Sequence, residues 1–166
     1  MKTKETAMYG LLVALAMILS YIETLFPVFV AVPGVKLGLA NIVVLFAVYT
    51  MGIKSAAAIS AVRVLLAGFM FGNLFSIIYS GAGACLSLLV IMILYKSGKF
   101  GITGVSVAGG VAHNAGQIIV ACFVTETAQI AYYFPVLCIS GTVAGICIGL
   151  IAGLVIGKMK GAALKD

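Results

Sequence analysis

Charge is what this sequence has least of. Its 166 residues include only ten basic and four acidic side chains, and the single aspartate is Asp166. Charged residues make up 8% of the chain and hydrophobic ones 64%, against about 25% and about 45–50% in ordinary soluble domains. A soluble fold near 150 residues still exposes roughly 30% of its unfolded surface, so a chain this apolar cannot hide in one soluble core. Disorder is excluded because it requires low hydrophobicity. A barrel with a polar lumen would alternate residue types along its strands. A polytopic helical membrane protein remains, as one integral membrane domain over residues 1–166.

Other absences narrow the chemistry. There is one histidine, too few clustered ligands for a zinc site. The four cysteines, Cys85, Cys122, Cys138 and Cys147, stand singly in apolar runs with no C-x-x-C pair. They read as small buried hydrophobes, not as disulfides or metal ligands. No phosphate-binding G-x-x-x-x-G-K-[ST] loop occurs, so the chain cannot use ATP by itself. No Ser-His-acid or Cys-His grouping is legible either. The expectation is a protein that is not an enzyme, with no catalytic residue, metal or cofactor. The basic residues form no patch, which excludes nucleic acid as a partner.

What is present is a series of apolar blocks, each near the 20 residues or so that a spanning helix needs. Six spans are expected, over Ala7–Phe26, Leu37–Ile53, Ser55–Gly72, Leu74–Tyr95, Thr103–Thr125 and Ile130–Gly157. The second is short and joins the third tightly. Pro27, Pro33 and Gly34 mark a structured loop from Pro27 to Lys36. The lysines test this map. With the N-terminus inside, Lys2, Lys4, Lys54, Lys96, Lys99, Lys158, Lys160 and Lys165 all fall on the cytoplasmic side, and Lys36 alone falls outside. That is the asymmetry of the positive-inside rule. It predicts both termini in the cytoplasm, in a multi-pass protein of a prokaryotic cell membrane. The basic N-terminus has no small-residue cleavage site after it, so the first apolar run reads as a helix and not as a signal peptide.

Polar groups inside spans are costly and point to function. Arg63 falls near the middle of the third span, where a charge costs at least about 2.5 kcal/mol. It keeps its proton, so it needs an anionic partner, water or a ligand. His113, Asn114 and Gln117 share one face of the fifth span, within a 100° arc at 3.6 residues per turn. Glu23, Lys36, Asn41 and Asn73 fall in the same outer half. Together these eight residues predict an outward-facing binding pocket. Structural roles compete at each: Arg63 pairing with Glu23, His113 bonded to a carbonyl, Asn73 capping a helix, Asn41 bridging helices. Tyr79, Tyr132 and Tyr133 read as packing or interfacial residues.

Gly141, Gly145, Gly149, Gly153 and Gly157 recur every four residues and lie in one stripe along the sixth span. Membrane helices associate through close backbone approach at such residues. The stripe fits packing within the bundle or a docking face for another subunit. Gly10 and Ala14 make a shorter pair of the same kind on the first span.

Several separated segments resemble a known family. They are Leu19-Ser20-Tyr21-Ile22-Glu23, Val32 to Asn41, Phe71-Gly72-Asn73-Leu74 with Arg63 upstream, His113-Asn114-Ala115-Gly116-Gln117, and Tyr132-Tyr133-Phe134-Pro135. On these the chain is identified as a member of the Gx transporter family, also described as heptaprenyl diphosphate synthase component I. Prenyl diphosphate synthases bind diphosphate and magnesium through aspartate-rich motifs, and a chain with one aspartate cannot do so. The architecture is also similar to S components of energy-coupling factor transporters. That likeness implies six helices, a solute site beneath the loop joining the first two, and a coupling subunit with cytoplasmic ATPases as partner. The Ala-x-x-x-Ala coupling face of those proteins is matched here only by Gly10 and Ala14. The expected function is capture of a small anionic or amphipathic nutrient, an isoprenoid or quinone precursor. The alternative is a non-transporting scaffold for a quinone- or flavin-linked electron-transfer system or a polyprenyl diphosphate synthase. The expected surroundings are the lipid bilayer and a small-molecule substrate.

Overall fold

A computed structural model describes residues 3–25 and 38–163. Among them every regular element is helical: α1 (Thr3–Leu25), α2 (Asn41–Thr50), α3 (Ile53–Phe71), α4 (Leu74–Ser97), α5 (Ile102–Val124), a 3-10 turn (Ala128–Tyr133) and α6 (Phe134–Ala163). Five of these elements are long and apolar enough to cross a membrane. Their large exposed side chains are apolar, among them Phe69, Phe123, Ile139 and Leu154. This is the surface of a multi-pass membrane protein, solvated by lipid.

The second predicted span is the exception. Leu37–Ile53 was expected to cross, but α2 has only ten residues. At 1.5 Å per residue it covers about 15 Å, half of an apolar core about 30 Å thick. Its limits are set by glycines in left-handed geometry, Gly38 at φ +79° and Gly52 at φ +89°. Such angles are costly for residues with a Cβ, and hydropathy alone does not register them. Despite its length, α2 is the most enclosed element: Val43, Val44, Leu45, Ala47 and Val48 are all buried. It packs against α1, α3 and α6.

The other boundaries lie within a few residues of expectation, apart from the two ends of the last helix. The predicted sixth span begins in the 3-10 turn, and α6 runs beyond Gly157. The Pro27–Lys36 loop lies outside the described residues. The cysteines were expected to be small buried hydrophobes, and the structure corrects this: none is a core residue. Cys85 and Cys147 are exposed on the apolar surface, and Cys122 and Cys138 are half-buried, all as free thiols.

Glycines place α5 in near backbone contact with both neighbours. A Cβ at Gly116 would meet the Ala82 carbonyl oxygen at 2.7 Å, and one at Gly83 would meet the His113 carbonyl oxygen at 2.8 Å. On the other side, Cβ atoms at Gly141, Gly145 and Gly149 would run into Asn114 Nδ2, Val107 Cα and Thr103 Cα at 2.9, 2.6 and 2.6 Å. The glycine stripe therefore packs inside the bundle along three of its five positions. Gly153 is nearly free, and Gly157 meets nothing within 4 Å. Gly10 is likewise open and Ala14 is exposed.

Gly145→Leu should lower stability by at least about 1–3 kcal/mol, because the obstructing atoms are backbone. Gly157→Leu should stay within about 0.5 kcal/mol. Thermal unfolding of the detergent-solubilised protein separates the two; equal effects would contradict the internal role of the stripe.

Candidate functional site

The site is built where α1, the α2 entry, α3 and α5 bring polar groups inward. On α1 the buried residues are Leu12, Ala16, Ser20 and Glu23, spaced by three and four as one helix face requires. On α3 the buried face carries Ser60 and Arg63. On α5 it carries His113, Asn114 and Gln117. Glu23 is 8% exposed, Arg63 5%, His113 3%, Asn114 2% and Gln117 1%. In this conformation the cluster is closed.

Glu23 is the organising group. Its carboxylate accepts hydrogen bonds from the backbone N–H of Gly38 and, at 2.9 Å, of Leu39. It thereby fixes the turn that opens α2. Its negative charge also acts on Arg63. The same turn brings in the other members. A Cβ at Gly38 would lie 2.7 Å from Asn41 Nδ2 and 3.7 Å from His113 Cδ2, so these three pack together. Gly83 of α4 leaves room for His113 and Gln117, whose Cε1 and Cγ a Cβ there would meet at 3.0 Å.

Arg63, although paired electrostatically, is not saturated. Among the described residues its Nε and Nη2 have no hydrogen-bond partner. These two atoms share the edge of the guanidinium that binds a carboxylate or phosphate side-on through two parallel bonds. Gln117 is in the same condition, with both Nε2 and Oε1 unpartnered, as are Asn114 Oδ1 and Ser20 Oγ. Native interiors leave few such groups unsatisfied, and each costs roughly 1–3 kcal/mol when buried without a partner. Beside Asn41, a cavity of about 10 Å³ lined also by Ser87, Ser106, Leu45 and Ile148 has room for about one water.

Not every predicted residue joins this group. Asn73 is exposed, and its Oδ1 accepts the Ser76 N–H at 2.8 Å as the N-cap of α4. Asn114 faces α6, where its Nδ2 donates to the Leu137 carbonyl at 2.8 Å. The polar arc of α5 is thus divided between a helix contact and the cluster. Lys36 lies outside the described residues. Glu23, Asn41, Arg63, His113 and Gln117 do assemble. Ser20 and Ser60 were missed; each sits one turn before a charged member, and that three-residue spacing was the available signal.

A family model described as heptaprenyl diphosphate synthase component I matches residues 12–155, from α1 to α6. The chain belongs to this family. No curated protein and no solved structure matches it. The matched stretch contains every described member of the cluster.

Glu23→Gln removes a charge that both anchors the α2 entry and offsets Arg63. A stability loss of about 3 kcal/mol or more is expected, as when one partner of a buried pair is removed. The double variant Glu23→Gln with Arg63→Met should recover part of it. A double variant as unstable as the sum of the single losses would show that the two residues are not coupled. Asn73→Ala should cost about 1 kcal/mol in thermal unfolding, the loss of a helix cap.

Proposed function

We propose that the chain is a membrane-embedded solute-binding subunit, like the S components of energy-coupling factor transporters, for uptake of a small anionic or amphipathic nutrient. The observation that carries this reading is the unpartnered side-on edge of the buried Arg63, in a bundle where Gln117 and Ser20 also hold buried polar atoms without a partner among the described residues. A carboxylate or phosphate there would accept both guanidinium hydrogen bonds. Gln117, with a donor and an acceptor both open, would select the polar group beside it. His113 and Asn41 would line the approach from the α2 entry. The abundant apolar walls suit an isoprenoid or quinone precursor. With no ATP-binding motif in the chain, movement would be driven by a coupling subunit and its ATPases. The lysine-bearing helix ends would face the cytoplasm of a prokaryotic cell, by the positive-inside rule.

The family's description supports a second reading, a scaffold that holds a prenyl diphosphate synthase at the membrane. Catalysis by this chain itself is disfavoured by its single aspartate.

Native mass spectrometry of the gently solubilised protein distinguishes them. The uptake reading expects a co-purified small anion on the native chain, and its loss in Arg63→Lys, which keeps the charge but removes the planar fork. A co-purified synthase with no small molecule would favour the scaffold. An anion retained equally by native and Arg63→Lys proteins would remove Arg63 as its anchor.

A further inference from the structure

A second feature lies apart from the polar cluster. Because α2 is half-length and sits between α1 and α6, those two helices flank it as walls instead of closing over it. The result is a groove of about 460 Å³ lined by twelve residues, all apolar. Met8, Leu15 and Leu19 form one wall, Val155 and Met159 the other, and Phe46 belongs to the floor. Leu15, Val155 and Met159 are each 44% exposed, so the groove opens sideways on the outer surface of the bundle.

Its length and charge indicate an occupant. From Met8 to Leu19 the α1 wall runs for about 16 Å at 1.5 Å per residue, close to one leaflet of a core about 30 Å thick. At one end, Lys4 stands one helical turn before Met8, and Lys158 stands beside Met159 and one turn after Val155. Both lysines are exposed. The acid nearby, Glu5, is itself engaged with another group. A leaflet-length apolar trough with two cations at its mouth fits a lipid whose headgroup is a phosphate.

We propose that the groove between α1, α2 and α6 binds one chain of an anionic phospholipid, with its phosphate held by Lys4 and Lys158. The lipid would fill the space left by the short α2 and brace α1 against α6. The site stands independently of the Arg63 cluster, and its lining shares no residue with it.

The test is native mass spectrometry of the full chain released from nanodiscs of phosphatidylcholine containing a minor share of phosphatidylglycerol. The expected result is selective retention of one phosphatidylglycerol. Retention should fall about fivefold for each of Lys4→Gln and Lys158→Gln, the effect of one lysine near an anionic surface. Leu15→Trp or Val155→Trp should fill the groove and abolish it. Ile119→Trp, at an exposed position on α5, should leave it unchanged. The proposal fails if phosphatidylcholine is retained as well as phosphatidylglycerol, or if the lysine variants keep native selectivity. It fails too if retention survives both tryptophans, or if Leu15→Cys or Val155→Cys cross-links to another polypeptide in place of lipid.

Discussion

The carboxylate of Glu23 is the constraint on which the rest of the bundle depends. A half-length helix exposes backbone N–H groups at its start, and a membrane offers no water to satisfy them. Glu23 takes two of these, from Gly38 and Leu39. The N–H groups of Asn41, Ile42 and Val43 are taken up by the carbonyls of Gly38, Leu39 and Ala40. An acid is suited to the task, because a helix N-terminus carries partial positive charge. The same acid offsets Arg63, so one side chain compensates both the irregular backbone and the buried cation. α2 can therefore be short, and both the polar cluster and the lateral groove follow from its shortness.

The two sides of the bundle are held by different means. Around α5 the packing is glycine against backbone, with Gly83, Gly110, Gly116, Gly141 and Gly145 allowing contacts that any Cβ would obstruct. Dispersion at that distance is the main attraction available between helices in lipid. Around α1 and α2 the contacts are made by larger side chains, such as Leu12, Val43 and Leu45, and by a hydrogen bond from Tyr9 to Ser55 at 2.6 Å. From the tightly packed α5, His113 reaches Gly38 at the α2 entry, and His113 and Gln117 both lie against Gly83 of α4.

Much of this was legible in the sequence, and the misses have physical causes. Apolar run length located five helices because a bilayer fixes how long such runs must be. It overextended α2 because Leu37 and Leu39 are apolar, while the helix is limited by the φ of Gly38. Polarity within apolar spans singled out Arg63 and Glu23, and helical periodicity grouped His113 and Gln117 on one face. It also placed Asn114 with them, although 100° of rotation was enough to turn that side chain to α6. Asn73 was read both as a ligand and as a cap, and its geometry is that of a cap. The glycine stripe was recognisable by spacing, but spacing could not say that Gly141 to Gly149 face α5 while Gly157 faces outward. The groove was not legible at all, since it arises from the way α1 and α6 flank the ten-residue α2.

The scarcity of charge bears finally on the family's name. Diphosphate chemistry with magnesium needs clustered carboxylates to hold the metal, and among the described residues no group of acids or histidines suited to a metal ion occurs. What the chain has instead is a guanidinium with its paired edge open and an amide beside the same helix contacts. On the proposed reading those groups would recognise an anion by hydrogen bonds, since neither accepts a proton or supplies a nucleophile at neutral pH. A buried arginine is also an expensive means of holding helices together, since apolar residues of similar volume often serve as well or better. On that reading, its presence at mid-bundle, with Nε and Nη2 unpartnered among the described residues, would be explained by what it recognises rather than by what it stabilises.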